Sequence, residues 1–197
     1  MSDYSKECLQ ITPDLDVELL LGLMQEKRLG GLVLEDLATV WQSWLDKLYA
    51  VKLKLGDKEY IAVWLDEEIE HMVDQKWKDA PSESFRLNCL AQSMCMSAVY
   101  QLIPEVEYAG CAPAPSLSDD SVNELAYNLA SALRAEKIPY HNIGISGLAR
   151  RFSVLTPYPF QGACEICSLH EQCPKANANP ESFHSVVLPG YAGLDKL

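Results

Sequence analysis

The sequence predicts an α+β fold: a mainly helical single domain with a small β-hairpin at about residues 49–65 and a loop-rich, metal-binding C-terminal segment. Three observations predict it. Apolar residues recur at helical spacing along most of the chain up to Leu133. Period-two alternation is concentrated in one stretch, Val51-Lys52-Leu53-Lys54-Leu55. From Thr156 onward periodicity is lost, and Pro157, Pro159, Pro174, Pro180 and Pro189 surround three closely spaced cysteines. The organisation expected is a helical body over 1–155, with a cysteine-rich loop, 156–197, packed on it.

The first helix is expected from Thr12-Pro13-Asp14. Thr12 can accept from an orphan backbone N–H, Pro13 suits the first helical position, and Asp14 and Asp16 favour the dipole. Leu15, Leu19, Leu23 and Met24 form its apolar face, and Gly30-Gly31 ends it. A second helix follows from about Leu34, with Leu37, Trp41, Trp44 and Leu48 on one side and the two tryptophans as core anchors. The hairpin comes next: Gly56-Asp57 suits a two-residue turn with glycine first, and Tyr60–Leu65 reads as the returning strand.

Residues 66–78 form an acidic helix whose Glu67, Glu68, Glu70 and Asp74 face water, and His71 belongs to the same surface. Ser82 is expected to cap a long apolar helix that Pro104 stops after Ile103. Val106–Ala109 is expected as a short strand leading into the stiff linker Cys111-Ala112-Pro113-Ala114-Pro115. Ser121-Val122-Asn123-Glu124 fits a capping box, opening a helix with Val122, Leu125, Leu129 and Leu133 inward. A last helix is expected from Ser146 to Leu155.

Composition narrows the function. The chain has 28 acidic and 16 basic side chains, a net charge of −12, which disfavours a general nucleic-acid or anionic-membrane surface because phosphate binding needs clustered cations. The acidity is uneven. The first 79 residues carry 17 acidic against 9 basic groups, net −8, and the remaining 118 carry 11 against 7, net −4. The pair Arg150-Arg151 is the place to look for an anionic partner. No apolar run approaches the roughly 18–20 residues of a membrane span, and the polar stretch Met1–Gln10 does not read as a signal peptide. The expected location is the cytoplasm, where the seven cysteines stay reduced. A Gly-x-Ser-x-Gly elbow, a Walker A loop and a Gly-x-Gly-x-x-Gly loop are all absent from the sequence.

The chemistry lies in Cys164-Glu165-Ile166-Cys167-Ser168-Leu169-His170-Glu171-Gln172-Cys173-Pro174. Two thiolates three positions apart can grip one metal centre from a single turn, and a third returns after a short loop. A fourth ligand is expected from elsewhere: Cys111 first, in its proline-flanked linker, with His170, His184 or Cys8 as alternatives. Cys89 and Cys95 are six apart on a helix, about 240° around its axis, so they read as buried structural thiols. Pro157, Pro159 and Gly162 precede the motif where a thioredoxin-like site needs a strand.

The C-x2-C-x5-C spacing of Cys164, Cys167 and Cys173, with one cysteine far upstream, resembles the iron–sulfur staple of the RecB-like exonucleases, the AddB-type and small CRISPR-associated members among them. The order of a strand pair, a helix containing Gln92 and Tyr100, a short strand, a helix and the cysteine loop is similar too. The resemblance implies a [4Fe-4S] cluster on those cysteines. It implies a Mg²⁺ nuclease centre as well, but no Lys follows the second strand and Asp57, Glu59 and Asp66 do not reproduce the family's acidic set. Only the cysteine positions carry over. The function expected is a metal-binding protein with one [4Fe-4S] cluster, in a structural or accessory role toward a protein partner. A divergent RecB-like Mg²⁺-dependent nuclease and a zinc-stapled helical adaptor are the alternatives.

Overall fold

A computed structural model of the chain describes residues 4–140, 151–160, 162, 164, 166–168 and 170–172. It is a mixed α+β fold built on one four-stranded antiparallel sheet. In chain order the elements are β1 (Tyr4–Cys8), α1 (Val17–Met24), α2 (Gly31–Trp44), β2 (Leu48–Leu55), β3 (Lys58–Leu65), α3 (Glu67–Asp79), α4 (Pro81–Leu102), α5 (Pro104–Ala109), α6 (Glu124–Ala135) and β4 (Ser153–Tyr158). The strands lie in the order β1-β2-β3-β4.

The expected hairpin is the centre of this sheet. Leu55 pairs with Lys58 across the two-residue loop, and Gly56 takes φ +59 while Asp57 does not enter the left-handed region, the combination of a II′ turn. The pleat then sends alternate residues to opposite faces. Leu48, Ala50, Ile61, Val63 and Leu65 face the larger core with Trp41, Trp44, Leu90 and Met94. Val51, Leu53, Leu55, Tyr60 and Ala62 face a second core closed by Leu129, Ala130 and Leu133 of α6.

Two strands flank the hairpin that periodicity does not reveal. β1 is Tyr-Ser-Lys-Glu-Cys, polar and largely exposed, and its pairing with β2 makes it a strand. β4 lies where a helix from Ser146 to Leu155 was expected. Residues 146–150 fall outside the described ones, but Ser153–Leu155 pair with β3 and the strand continues through Thr156, Pro157 and Tyr158. Neighbouring apolar residues conceal it: Val154 packs on the larger core and Leu155 on the second. Pro157 is tolerated because, among the described residues, β4 is an edge strand.

The helix starts also shift. Asp16, not Thr12, caps α1, its carboxylate accepting from Leu19 N–H at 2.9 Å. Pro13 lies before the helix, and its carbonyl accepts from the buried Trp41 indole N–H at 3.2 Å. α4 begins at Pro81 with no side-chain cap, so Ser82 does not serve as one. Val106–Ala109 is the end of helix α5, because Pro104 at its first turn fits a helix start and Gly110 closes it at φ +69. Asn123, not Ser121, caps α6, which leaves Val122 and Leu125 exposed and turns Ala126, Leu129, Ala130, Ala132 and Leu133 inward. Trp41, Trp44, Cys89 and Cys95 are buried as expected, and α3 carries its acidic face outward from an Asp66 cap.

Candidate metal centre

The linker before α6 is built from residues that leave the backbone little choice. Proline locks φ and removes the N–H, and the residue before each proline is held extended. In Ala112-Pro113-Ala114-Pro115 this makes a straight run in which all four residues are buried. Ala112 packs into the larger core and Ala114 into the second, so the run is anchored on both.

The cysteine turn docks on this run. Cys167 N–H donates to the Cys164 carbonyl at 3.3 Å, and His170 N–H donates to the Cys167 carbonyl at 3.1 Å. Two successive tight turns thus bring residues 164 and 167 close in space. Ser168 N–H donates to the Ala114 carbonyl at 2.9 Å and its hydroxyl to the Pro115 carbonyl at 3.3 Å. In return Ala114 N–H donates to Cys167 Sγ at 3.4 Å. Cys164 is exposed and Cys167 half-buried. Tyr140 is buried in the second core, against which Cys167 packs, and burial pushes its hydroxyl well above the ordinary phenol range.

The other candidates fall around this turn unevenly. Cys111 is half-buried at the head of the extended run, directly after Gly110. It lies close enough to Tyr100 to act on it, whose hydroxyl is pushed up to about 12 by burial first and then by Glu107, Asp16 and Cys111. Cys8 is exposed at the end of β1, opposite Val51 and three strands from β4. His170 is exposed in a short 3-10 turn, His170–Gln172. Cys173 and His184 lie outside the described residues. Among the described residues no three His, Cys, Asp or Glu side chains meet at one metal position.

Of the three acidic residues only Glu59 lies in β3, with Asp57 in the hairpin turn before it and Asp66 capping α3 after it. Glu59 sits next to the hairpin turn and Asp66 beyond the opposite end, roughly 23 Å away at 3.3 Å per residue. One Mg²⁺ cannot bridge that span. Cys89 and Cys95 are inert: burial pushes both thiols up to about 12, and they donate to the Leu23 and Phe152 carbonyls at 3.6 Å.

Sequence reasoning missed Ala114, Ser168 and Tyr140 as neighbours of the cysteine turn. One signal was present: between Ala112 and Ser116 the two prolines leave a single backbone N–H, at Ala114. Beside the turn runs a groove of about 270 Å³, where Ile166 meets Pro115, Leu125 and Tyr158. No family model matches the chain, and searches of curated proteins and of solved structures return no match.

Proposed function

We propose that the chain is a metal-binding protein that holds one [4Fe-4S] cluster through Cys164, Cys167, Cys173 and Cys111, in a structural or accessory role toward a protein partner. A cytoplasmic location, which keeps all seven cysteines reduced, belongs to the same reading. The observation that carries it is the cysteine turn, with Cys164 and Cys167 drawn together by the 3.3 Å bond and an amide donating to the Cys167 sulfur. Metal thiolates carry negative charge and are stabilised by such N–H donors. The spacing of the last three cysteines, which resembles the RecB-like staple, favours the cluster over zinc. Cys111 is preferred as fourth ligand because it heads the run on which the turn docks. When bound, the cluster supplies a covalent cross-link between the C-terminal loop and the body and a centre able to pass one electron. The residues around it orient the thiolates and shield Cys167 from water. The groove at Ile166 offers the partner a surface next to the site.

Anaerobically purified full-length protein, analysed for iron, sulfide and zinc and by absorbance, tests this. Brown protein with iron and sulfide in equal amounts and a broad band near ~400 nm is expected. Colourless protein holding one zinc would establish the zinc-stapled adaptor instead, and protein with neither metal would end both readings. Cys111→Ser should lower metal content as much as Cys167→Ser, with Cys89→Ser unchanged.

A further inference from the structure

The proline pair around Ala114 has a chemical consequence. A backbone amide inside a buried run must find an acceptor, and prolines on both sides leave this one with no neighbouring donor to share the task. Its acceptor is a cysteine sulfur, Cys167 Sγ, at 3.4 Å. A neutral thiol is a weak acceptor and a thiolate or metal-bound sulfur a much better one. A well-buried donor committed to sulfur is therefore poorly used in a chain that keeps Cys167 as an idle thiol. Ala114 and Pro115 also bind the turn through their carbonyls, which take the Ser168 amide and hydroxyl. Rigidity completes the device: the run is locked in φ by its prolines and buried in both cores.

We propose that Ala114 is a positioning residue for the metal centre, its lone amide reserved to orient the Cys167 sulfur and stabilise its negative charge. This rests on the metal-centre reading above. Loss of such a partner in the shell around a metal ligand costs about 10–100-fold in affinity.

The test uses the full chain and Co²⁺ as a coloured probe of thiolate ligation. Ala114→Pro deletes the N–H while keeping the extended backbone, and Ala114→Gly keeps the N–H while deleting the methyl group. Ala114→Pro is expected to weaken Co²⁺ binding at least about tenfold, with Ala114→Gly within threefold of wild type. If the chain takes up iron as a cluster, Ala114→Pro should also move its midpoint potential to a more negative value, because the reduced cluster loses a donor. Equal affinities and potentials in all three proteins would overturn the proposal.

Hydrogen exchange in metal-free protein gives a second measurement that needs neither metal nor the proline variant. Cys167→Ala should accelerate exchange at the Ala114 amide while the Ser168 amide, bonded to the Ala114 carbonyl, stays protected. An unchanged Ala114 amide would show that sulfur is not its acceptor and sink the proposal. Wild-type protein that takes up no metal, with the exchange result as expected, would end the metal-centre reading and leave the amide–sulfur bond standing.

Discussion

At the residue scale the cysteines divide by environment. Cys89 and Cys95 lie in the larger core with their thiols raised to about 12 by burial, so they keep their protons at pH 8. The thiolate is the nucleophile. Native metal-free protein treated with iodoacetamide at pH 8 should be modified at Cys8 and Cys164, both exposed, and left intact at Cys89 and Cys95. Peptide mass mapping reads this directly. A second residue, Glu136, ties β1 to α6 by accepting from Tyr4 Oη at 2.7 Å and pairing with Lys6. The hydrogen bond from Lys6, then that from Tyr4, holds its carboxyl below the ordinary range. Its contribution is therefore in place above the ordinary carboxylate pKa and is lost as pH falls through the lowered value. Lys6, raised chiefly by its bond to Glu136, contributes below the ordinary amine pKa and loses that as pH rises through its raised value. Acidification into and below the carboxylate range should speed amide exchange along β1, corrected for intrinsic rates, and Glu136→Gln should remove that acid dependence. Cysteine spacing is legible in sequence because ligand geometry is local. The Glu136 tie joins residues 130 apart and leaves no local mark.

At the element scale, what was legible depended on whether an element buries one face. The hairpin, α2, α3 and α4 show their period because one side packs and the other is wet, or because the run is long and ends at a proline. The hairpin turn makes a sharp prediction. Nothing lies within 4 Å of where a Cβ on Gly56 would sit, so Gly56→Ala should cost only the backbone strain of φ +59, about 1–2 kcal/mol. Urea unfolding measures it, and an unaltered midpoint would show that the turn relaxes. Trp41 is fully buried and hydrogen-bonded to Pro13, so Trp41→Ala should cost about 3–5 kcal/mol in the same assay. β1 and β4 were not legible. β1 is a short polar edge, and β4 is packed on both faces and interrupted by Pro157, so neither alternates. The α5 helix was mistaken for a strand because six residues are too few to display a helical period.

At the scale of the whole molecule, one sheet carries two cores. β2 and β3 contribute to both, so loss of either core should unfold the other. Leu133→Ala, at a fully buried position of the second core, should cost about 2–5 kcal/mol. It should lower the exchange protection of Leu90 and Val99, on the opposite face of the sheet, by the same amount. Protection there at wild-type level would mean that the cores unfold independently. The proposed metal centre belongs to this scale too, because Cys111 heads the buried run on which the cysteine turn docks. If the chain holds the proposed metal, removing it should speed exchange around 111–116 and leave the β2–β3 hairpin unchanged. No helix among the described residues is long and apolar enough to cross a membrane.

The sequence by itself determined the α+β class, the central hairpin, the long buried helix and the cysteine spacing. Each is written in the order of neighbouring residues, as period, turn chemistry or ligand interval. Only the tertiary structure decided that the hairpin becomes a four-stranded sheet, that α6 closes a second core, and that Ala114 faces Cys167. Those depend on pairings between residues some fifty to a hundred positions apart. Such contacts form only once both faces of the sheet are packed, and no local period encodes them.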